Sequence, residues 1–215
     1  MAAFFAGDRE LASRVSIMAR ENGAEPIEGD VVIEAFDGKD LIANVRPKAL
    51  PWVLPATGKM GPAPWNHVDE PSLGFAVALE GSGLNDDILE IRGLSSGRYD
   101  VFMNGEWILQ ADHFELAEGL RLQNMTKTPS YRQSLELALL NAERNDVAMR
   151  PYRDLQGGMK SARKKNASTP EILAAFRAGI APELGRLFHL AQAYEAQIHE
   201  LAVPRAYRLE VRRAR

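Results

Sequence analysis

The stretch "YDVFMNGEWIL", Tyr99 to Leu109, sets Asn104-Gly105 between two runs of β-branched and aromatic residues. Both central residues of a type I′ turn need positive φ, and Asn-Gly adopts that pair at the least cost. The predicted register puts Met103 against Glu106, Phe102 against Trp107, Val101 against Ile108 and Asp100 against Leu109. Opposed residues share a face of the sheet. One face then carries Phe102, Trp107 and Leu109; the other carries Tyr99, Val101, Met103 and Ile108. Both faces are apolar, so the hairpin is expected to be covered on both sides, by a second sheet and by a helix.

The flanking text supports a layered β core. "DVVIEAFDGKDLIANV" predicts strands over 30–36 and 41–45 around the turn Asp37-Gly38-Lys39-Asp40. "LGFAVALEG", "DILEIRGL" and "GLRLQ" also read as strands. Before them, Leu11, Val15, Met18 and Ala19 recur at helical spacing, which predicts a helix from Asp8 to Asn22. Between Pro47 and Pro71 the chain is irregular and rich in proline, with Trp52 and Trp65 embedded in it. Long loops of this kind are often functional.

The patterning changes at Thr128. Thr128-Pro129 reads as an N-cap followed by proline at the first helical position. Tyr131, Leu135, Ala138, Leu139 and Ala142 then form one stripe. "QGGMKSARKKNAS" reads as a basic, solvated linker, and Ser168-Thr169-Pro170-Glu171 opens a second helix with a capping-box pattern. Leu184, Leu187, Phe188, Ala191, Tyr194, Ile198 and Leu201 continue it as an amphipathic helix ended by Pro204. In "AYRLEVRRAR", Tyr207, Leu209 and Val211 alternate with charged residues, as in a strand that rejoins a sheet. The expected fold class is α+β: a small antiparallel β-sandwich-like core with C-terminal amphipathic helices and a final strand. The expected organisation is an N-terminal helix and linker over 1–29, a β-rich core over 30–127, and a helical segment with the terminal strand over 128–215.

Composition narrows the functional classes. The 215 residues suffice for a real core. A net charge of −3 gives no electrostatic footprint for nucleic acid. The basic residues Lys160, Arg163, Lys164 and Lys165, and Arg212, Arg213 and Arg215, lack the interleaved aromatics of a single-strand binder. The absence of cysteine removes disulfides, thiol nucleophiles and cysteine-ligated zinc. No apolar run is long enough for a membrane span. "MAAFFAGDRELASR" has no basic residue before its apolar patch, so no signal peptide is expected; the compartment stays open.

Two constellations carry chemistry. "WNHVDEPS" places His67, Asp69 and Ser72 within six residues, the residue types of a nucleophile, a base and an orienting acid. No Gly-x-Ser-x-Gly elbow frames Ser72, and triads are assembled from separate elements, so the bland alternative is a polar loop anchored by Trp65. Asp37 and Asp40, and Asp86 and Asp87, offer hard oxygen ligands for calcium. Acidic turn residues also serve simply as turn formers. His113 reads as a turn residue. His189 and His199 lie ten residues apart, on nearly opposite helix faces.

"NDDILEIRGLSSGRYDVFMNGEWI" resembles the segment that follows the catalytic domain in bacterial GDSL-type, SGNH-like hydrolases. There a strand leads into a Gly-Leu-Pro-x-Gly-x-Tyr turn and a hairpin ending in Asp-Gly; here Ser95 and Asn104 replace the proline and the aspartate. "FELAEGLRLQNMTKTPSYRQS" and "EAQIHELAVPRAYRLEV" resemble the pieces that come next, so the likeness runs from about Leu84 to Val211. The family's Gly-Asp-Ser, Gly-x-Asn-Asp and Asp-x-x-His blocks map onto no position, since Arg9 stands where the serine of "FAGDRELA" would be. The resemblance therefore implies a non-catalytic C-terminal module, as a stand-alone relative or a piece of a longer frame. It would pack against an SGNH-type catalytic domain or a second copy, or bind an ester, lactone or glycan, with no cofactor required. The alternative is a small hydrolase of esters or lactones, calcium-assisted, centred on His67, Asp69 and Ser72. The substrate is not specified by these residues.

Overall fold

The computed structural model describes residues 13–53, 85–164 and 169–214. It divides into two units. In described residues, the first comprises 13–53, 85–136 and 202–214, and the second 137–164 and 169–201.

The first unit is a two-sheet sandwich, and the fold class is α+β as expected. One sheet has the order β2-β1-β5-β8, formed by Ser13–Arg20 (β1), Gly23–Glu28 (β2), Asp87–Arg92 (β5) and Leu120–Arg121 (β8). The other has the order β3-β4-β9-β6-β7, formed by Asp30–Phe36 (β3), Leu41–Arg46 (β4), Arg98–Met103 (β6), Glu106–Asp112 (β7) and Tyr207–Arg213 (β9). The pairings are antiparallel except that of β1 with β5, which is parallel. The terminal strand β9 lies between β4 and β6, so the last residues close the middle of the larger sheet.

Period-two alternation decides what is inside. Val15, Ile17 and Ala19 of β1 and Leu89 and Ile91 of β5 share one core with Leu41, Ala43 and Val45 of β4, Tyr99, Val101 and Met103 of β6, and Tyr207, Leu209 and Val211 of β9. The first strand corrects the expected N-terminal helix, because residues 13–20 are extended. Val15 and Met18 fit a helical stripe, but Val15, Ile17 and Ala19 fit a strand row equally well, and burial between sheets selects the strand.

The Asn104-Gly105 turn forms with positive φ at both residues, 51° and 79°. Phe102 faces Trp107 and Met103 faces Glu106 as expected. Beyond them a β-bulge leaves Ile108 without a partner, and Val101 pairs with Leu109 and Asp100 with Gln110. The expected cover on the Phe102–Trp107 face is also corrected, since Trp107 is 45% exposed. That face is a polar lattice suited to water. Arg208 pairs with Glu34 and Glu210, Arg212 pairs with Glu210, and the Arg212 guanidinium lies 4.8 Å over the Phe102 ring. A helix instead covers the smaller sheet. His113–Glu118 (α1) is opened by a full capping box between Asp112 and Glu115 and buries Leu116 completely. Gly119 follows it with φ 100°, and a Cβ there would stand 3.0 Å from the Ile88 side chain, so the chain turns where only glycine fits without strain.

The second unit is helical. Pro129–Arg144 (α2), whose first turns belong to the sandwich unit, continues through a π-turn over Asn145–Met149 into Arg150–Lys164 (α3). Of the expected linker over 156–168, the described part, 156–164, is helix despite Gly157-Gly158; its remaining residues favour helix, and no proline interrupts it. Pro170–Leu201 (α4) runs unbroken through Pro182, with the Thr169 hydroxyl accepting from the Ile172 N–H. Within this unit Arg144 pairs with Glu195 at 3.0 Å, and the Tyr194 hydroxyl bonds Glu143 at 3.0 Å.

Candidate functional site

Polar groups collect, buried, where β5 begins. Asn85, Asp86 and Asp87 are each about as buried as the core aliphatics, and Ser13 and Gln123 beside them are buried too. Backbone pairing sets this arrangement. The Ser13 N–H donates to the Asp86 carbonyl, and the Leu122 N–H donates to the Asp87 carbonyl, joining β1 and the residues after β8 to the start of β5.

Each of the three side chains has a different environment. Asn85 grips the backbone of Trp52: its Oδ1 accepts from the Trp52 N–H at 2.5 Å, and its Nδ2 donates to the Trp52 carbonyl at 3.2 Å. Trp52 itself is largely exposed. The Asp86 carboxylate accepts from Gln123 Nε2 at 3.2 Å and lies 3.8 Å from the Arg121 guanidinium. Asp87 faces the sandwich interior, and desolvation by burial pushes its carboxyl up to about 7. Tyr207 lies in the same interior. Its burial, and then the Asp87 charge, push the phenol above its usual range.

On the outer face of the same sheet, Glu90 is buried between Arg14, at 2.5 Å, and Arg92. Burial works to raise its carboxyl, but the hydrogen bonds and charge of the two arginines hold it below the usual range.

The expected metal ligands occupy two places. Asp37 Oδ1 accepts from the Lys39 and Asp40 N–H groups at 2.9 and 2.7 Å, and these bonds, that of Asp40 first, lower its carboxyl. Asp40 accepts from the Arg213 N–H at 2.9 Å. This pair shapes the β3–β4 turn and ties it to β9, while Asp86 and Asp87 are buried in the other sheet. Among the described residues, no group of three or more histidines and acids converges as a metal would need. His67, Asp69 and Ser72 lie outside the described residues. Among the described histidines, His113 Nδ1 accepts from the Gly97 N–H and its ring stacks on Phe114, while His189 and His199 lie along α4. Sequence reasoning gave Asn85 and Gln123 no buried role and read Tyr207 only as part of an alternating strand row. The readable signal was "GLNDD" entering a strand, where consecutive polar residues at a strand start imply buried hydrogen-bonding duties.

No family model and no curated protein matches this chain. Among solved structures, it is similar to a gut microbial diltiazem-metabolizing enzyme, with 20% identity and a TM-score of 0.71. The likeness covers 99% of this chain and 52% of that one, so the chain spans about half the length of the enzyme whose fold it shares.

Proposed function

We propose that this chain is the non-catalytic region of an SGNH-type ester hydrolase system, serving to pack against a catalytic domain and shape its access to substrate. One observation carries the reading: nearly the whole chain shares its fold with about half of an enzyme. The resemblance of Leu84 to Val211 to the segment after an SGNH-like catalytic domain points the same way. So do the buried polar groups described above, which are spent on architecture: Asn85 on Trp52, Asp86 on Gln123, Glu90 on two arginines. The ligand that such a system handles would be an ester, a lactone or a glycan, and this region would need no cofactor. Intact-mass analysis after treatment with a serine-reactive phosphonate tests the reading. The chain stays unlabelled if it is non-catalytic, and a stoichiometric adduct on one serine contradicts this.

A second reading keeps a hydrolase site at His67, Asp69 and Ser72, with calcium offered two separate pairs of carboxylates, Asp37 with Asp40 or Asp86 with Asp87. The observation in its favour is the Asn85–Trp52 clasp, which ties together the two ends of the stretch that contains those three residues. Under this reading the phosphonate adduct maps to Ser72.

A further inference from the structure

We propose that the outer face of the β6–β7 hairpin is a binding site for an extended, uncharged oligosaccharide, built on Trp107, Asp100, Gln110 and Lys127. The site goes beyond the packing role proposed above and does not depend on it.

Trp107 stands on the solvent side of the larger sheet and is 45% exposed. An exposed side chain is ordinarily free to change rotamer. This indole is held: its Nε1–H donates to Asp100 Oδ1 at 3.1 Å, and the Gln110 amide donates to the same oxygen at 3.1 Å. Register brings the three together, since Asp100 pairs with Gln110 across the two strands and Phe102 pairs with Trp107. The Lys127 ammonium lies 5.2 Å from the ring centroid. A fixed aromatic surface therefore projects into water with a carboxylate, an amide and an ammonium around it. Fixing such groups before a ligand arrives lowers the ordering cost of binding.

The polar groups left over set the ligand chemistry. Among the described residues, Asp100 Oδ2 and the Gln110 amide oxygen take no hydrogen bond. They accept and Lys127 donates, so a hydroxyl, which does both, is satisfied here. A sugar ring also has an apolar C–H face, the complement of an indole. Charge decides against an ionic ligand. Glu106 is occupied by the Arg132 guanidinium through bonds of 2.6 and 2.7 Å, and Arg212 is paired with Glu210. One carboxylate, Asp100, and one ammonium, Lys127, remain beside the ring, so a charged ligand meets a like charge and a neutral one does not. The apolar surface, one exposed indole beside a half-buried Phe102, falls short of a protein partner's needs, which are about 800 Å² on each side. The groups lie on an open sheet face, where a run of sugars can cross.

The test follows the tryptophan indole N–H signals of the whole 15N-labelled chain by NMR while cellohexaose, mannohexaose or xylohexaose is added, with a galacturonic acid hexamer as the charged control. The Trp107 signal, assigned by its loss in Trp107→Phe, is expected to shift saturably with at least one neutral hexamer, while the Trp52 signal stays in place. Calorimetry should show Trp107→Ala weakening that affinity by about tenfold or more, the scale of an aromatic anchor. If Trp107→Ala does not fold, Gln110→Ala, at an exposed position, serves and should weaken binding several-fold. No Trp107 shift with any of the three neutral hexamers overturns the proposal. So does binding of the acidic hexamer alone, or native affinity retained in the variants. A Trp107 shift that follows protein concentration rather than sugar also overturns it, and would mark the face as a contact between two copies. Ester turnover plays no part in these readouts, so a failure here is separate from a failure of the proposed function.

Discussion

Asn104 and Arg208 hold each other through two hydrogen bonds. The Asn104 N–H donates to the Arg208 carbonyl at 2.8 Å, and Asn104 Oδ1 accepts from the Arg208 N–H at 2.9 Å. The hairpin tip is thereby fixed to the strand that closes the sheet, and one residue both tolerates φ 51° and supplies an acceptor. Asn104→Ala should cost about 2 kcal/mol, from the left-handed backbone and the lost bond together. Asn104→Asp, which keeps the acceptor, should lose less than about half of that. Urea denaturation of the two variants gives the comparison; equal losses would show that the side-chain acceptor is irrelevant.

Trp107 and Tyr99 occupy opposite faces of the same hairpin, and truncation should separate them. Tyr99 is fully buried with its hydroxyl on the Ser95 carbonyl, so Tyr99→Ala should cost about 3–5 kcal/mol. Trp107 is 45% exposed, held by Asp100 at 3.1 Å and covered by Lys127 at 5.2 Å. Trp107→Ala should cost only about 1–2 kcal/mol, since just the area it removes from water counts. A Trp107→Ala loss equal to that of Tyr99→Ala would mean the outer face is covered.

Asn85→Ala should release the Trp52 backbone. The two lost hydrogen bonds, one leaving a Trp52 donor without its partner, should cost about 2 kcal/mol. Limited proteolysis between residues 53 and 84 should accelerate in parallel. Cleavage at the native rate would show that Asn85 does not govern this stretch.

Glu90 gives the opposite pH limb to Asp87. Its folded carboxyl is lowered, so its contribution is present above the unfolded value and is lost as pH falls through the folded one. Thermal unfolding should therefore weaken on the acid side in the native chain and less so in Glu90→Gln. On the alkaline side, the Asp87 carboxyl is raised from 3.8 to about 7, so its contribution is complete below the unfolded value and is lost as pH rises through about 7. The native melting temperature should therefore fall by on the order of 5 °C between pH 5.5 and 8.5, relative to Asp87→Asn. A flat profile in the native chain would contradict both assignments.

The sheet elements were legible where alternation and turn chemistry agreed. Asn104-Gly105, Asp37-Gly38 and the Tyr207–Leu209–Val211 row each read correctly from two local signals. The first strand did not, because 13–20 carries apolar residues at spacings that satisfy two periods at once, and only the facing sheet decides between them. The bulge at Ile108 depends on how β6 also pairs with β9, which no local pattern encodes. The outer face looked apolar through Phe102 and Trp107, but their cover comes from Arg212 and Lys127, residues far apart in the chain. Asp86 and Asp87 read as turn formers or calcium ligands at the start of a strand, and their burial was not legible for the same reason: it is a property of the two sheets together. The residues 67, 69 and 72 were singled out by residue type alone.

The most direct test of the account is turnover by the purified chain on p-nitrophenyl esters and acyl lactones. A non-catalytic region should show no hydrolysis above a matched control, with no change on adding calcium or a chelator. Activity in the native chain that falls by about a hundredfold or more in His67→Ala or Ser72→Ala, the usual scale of a lost general base or nucleophile, would contradict it.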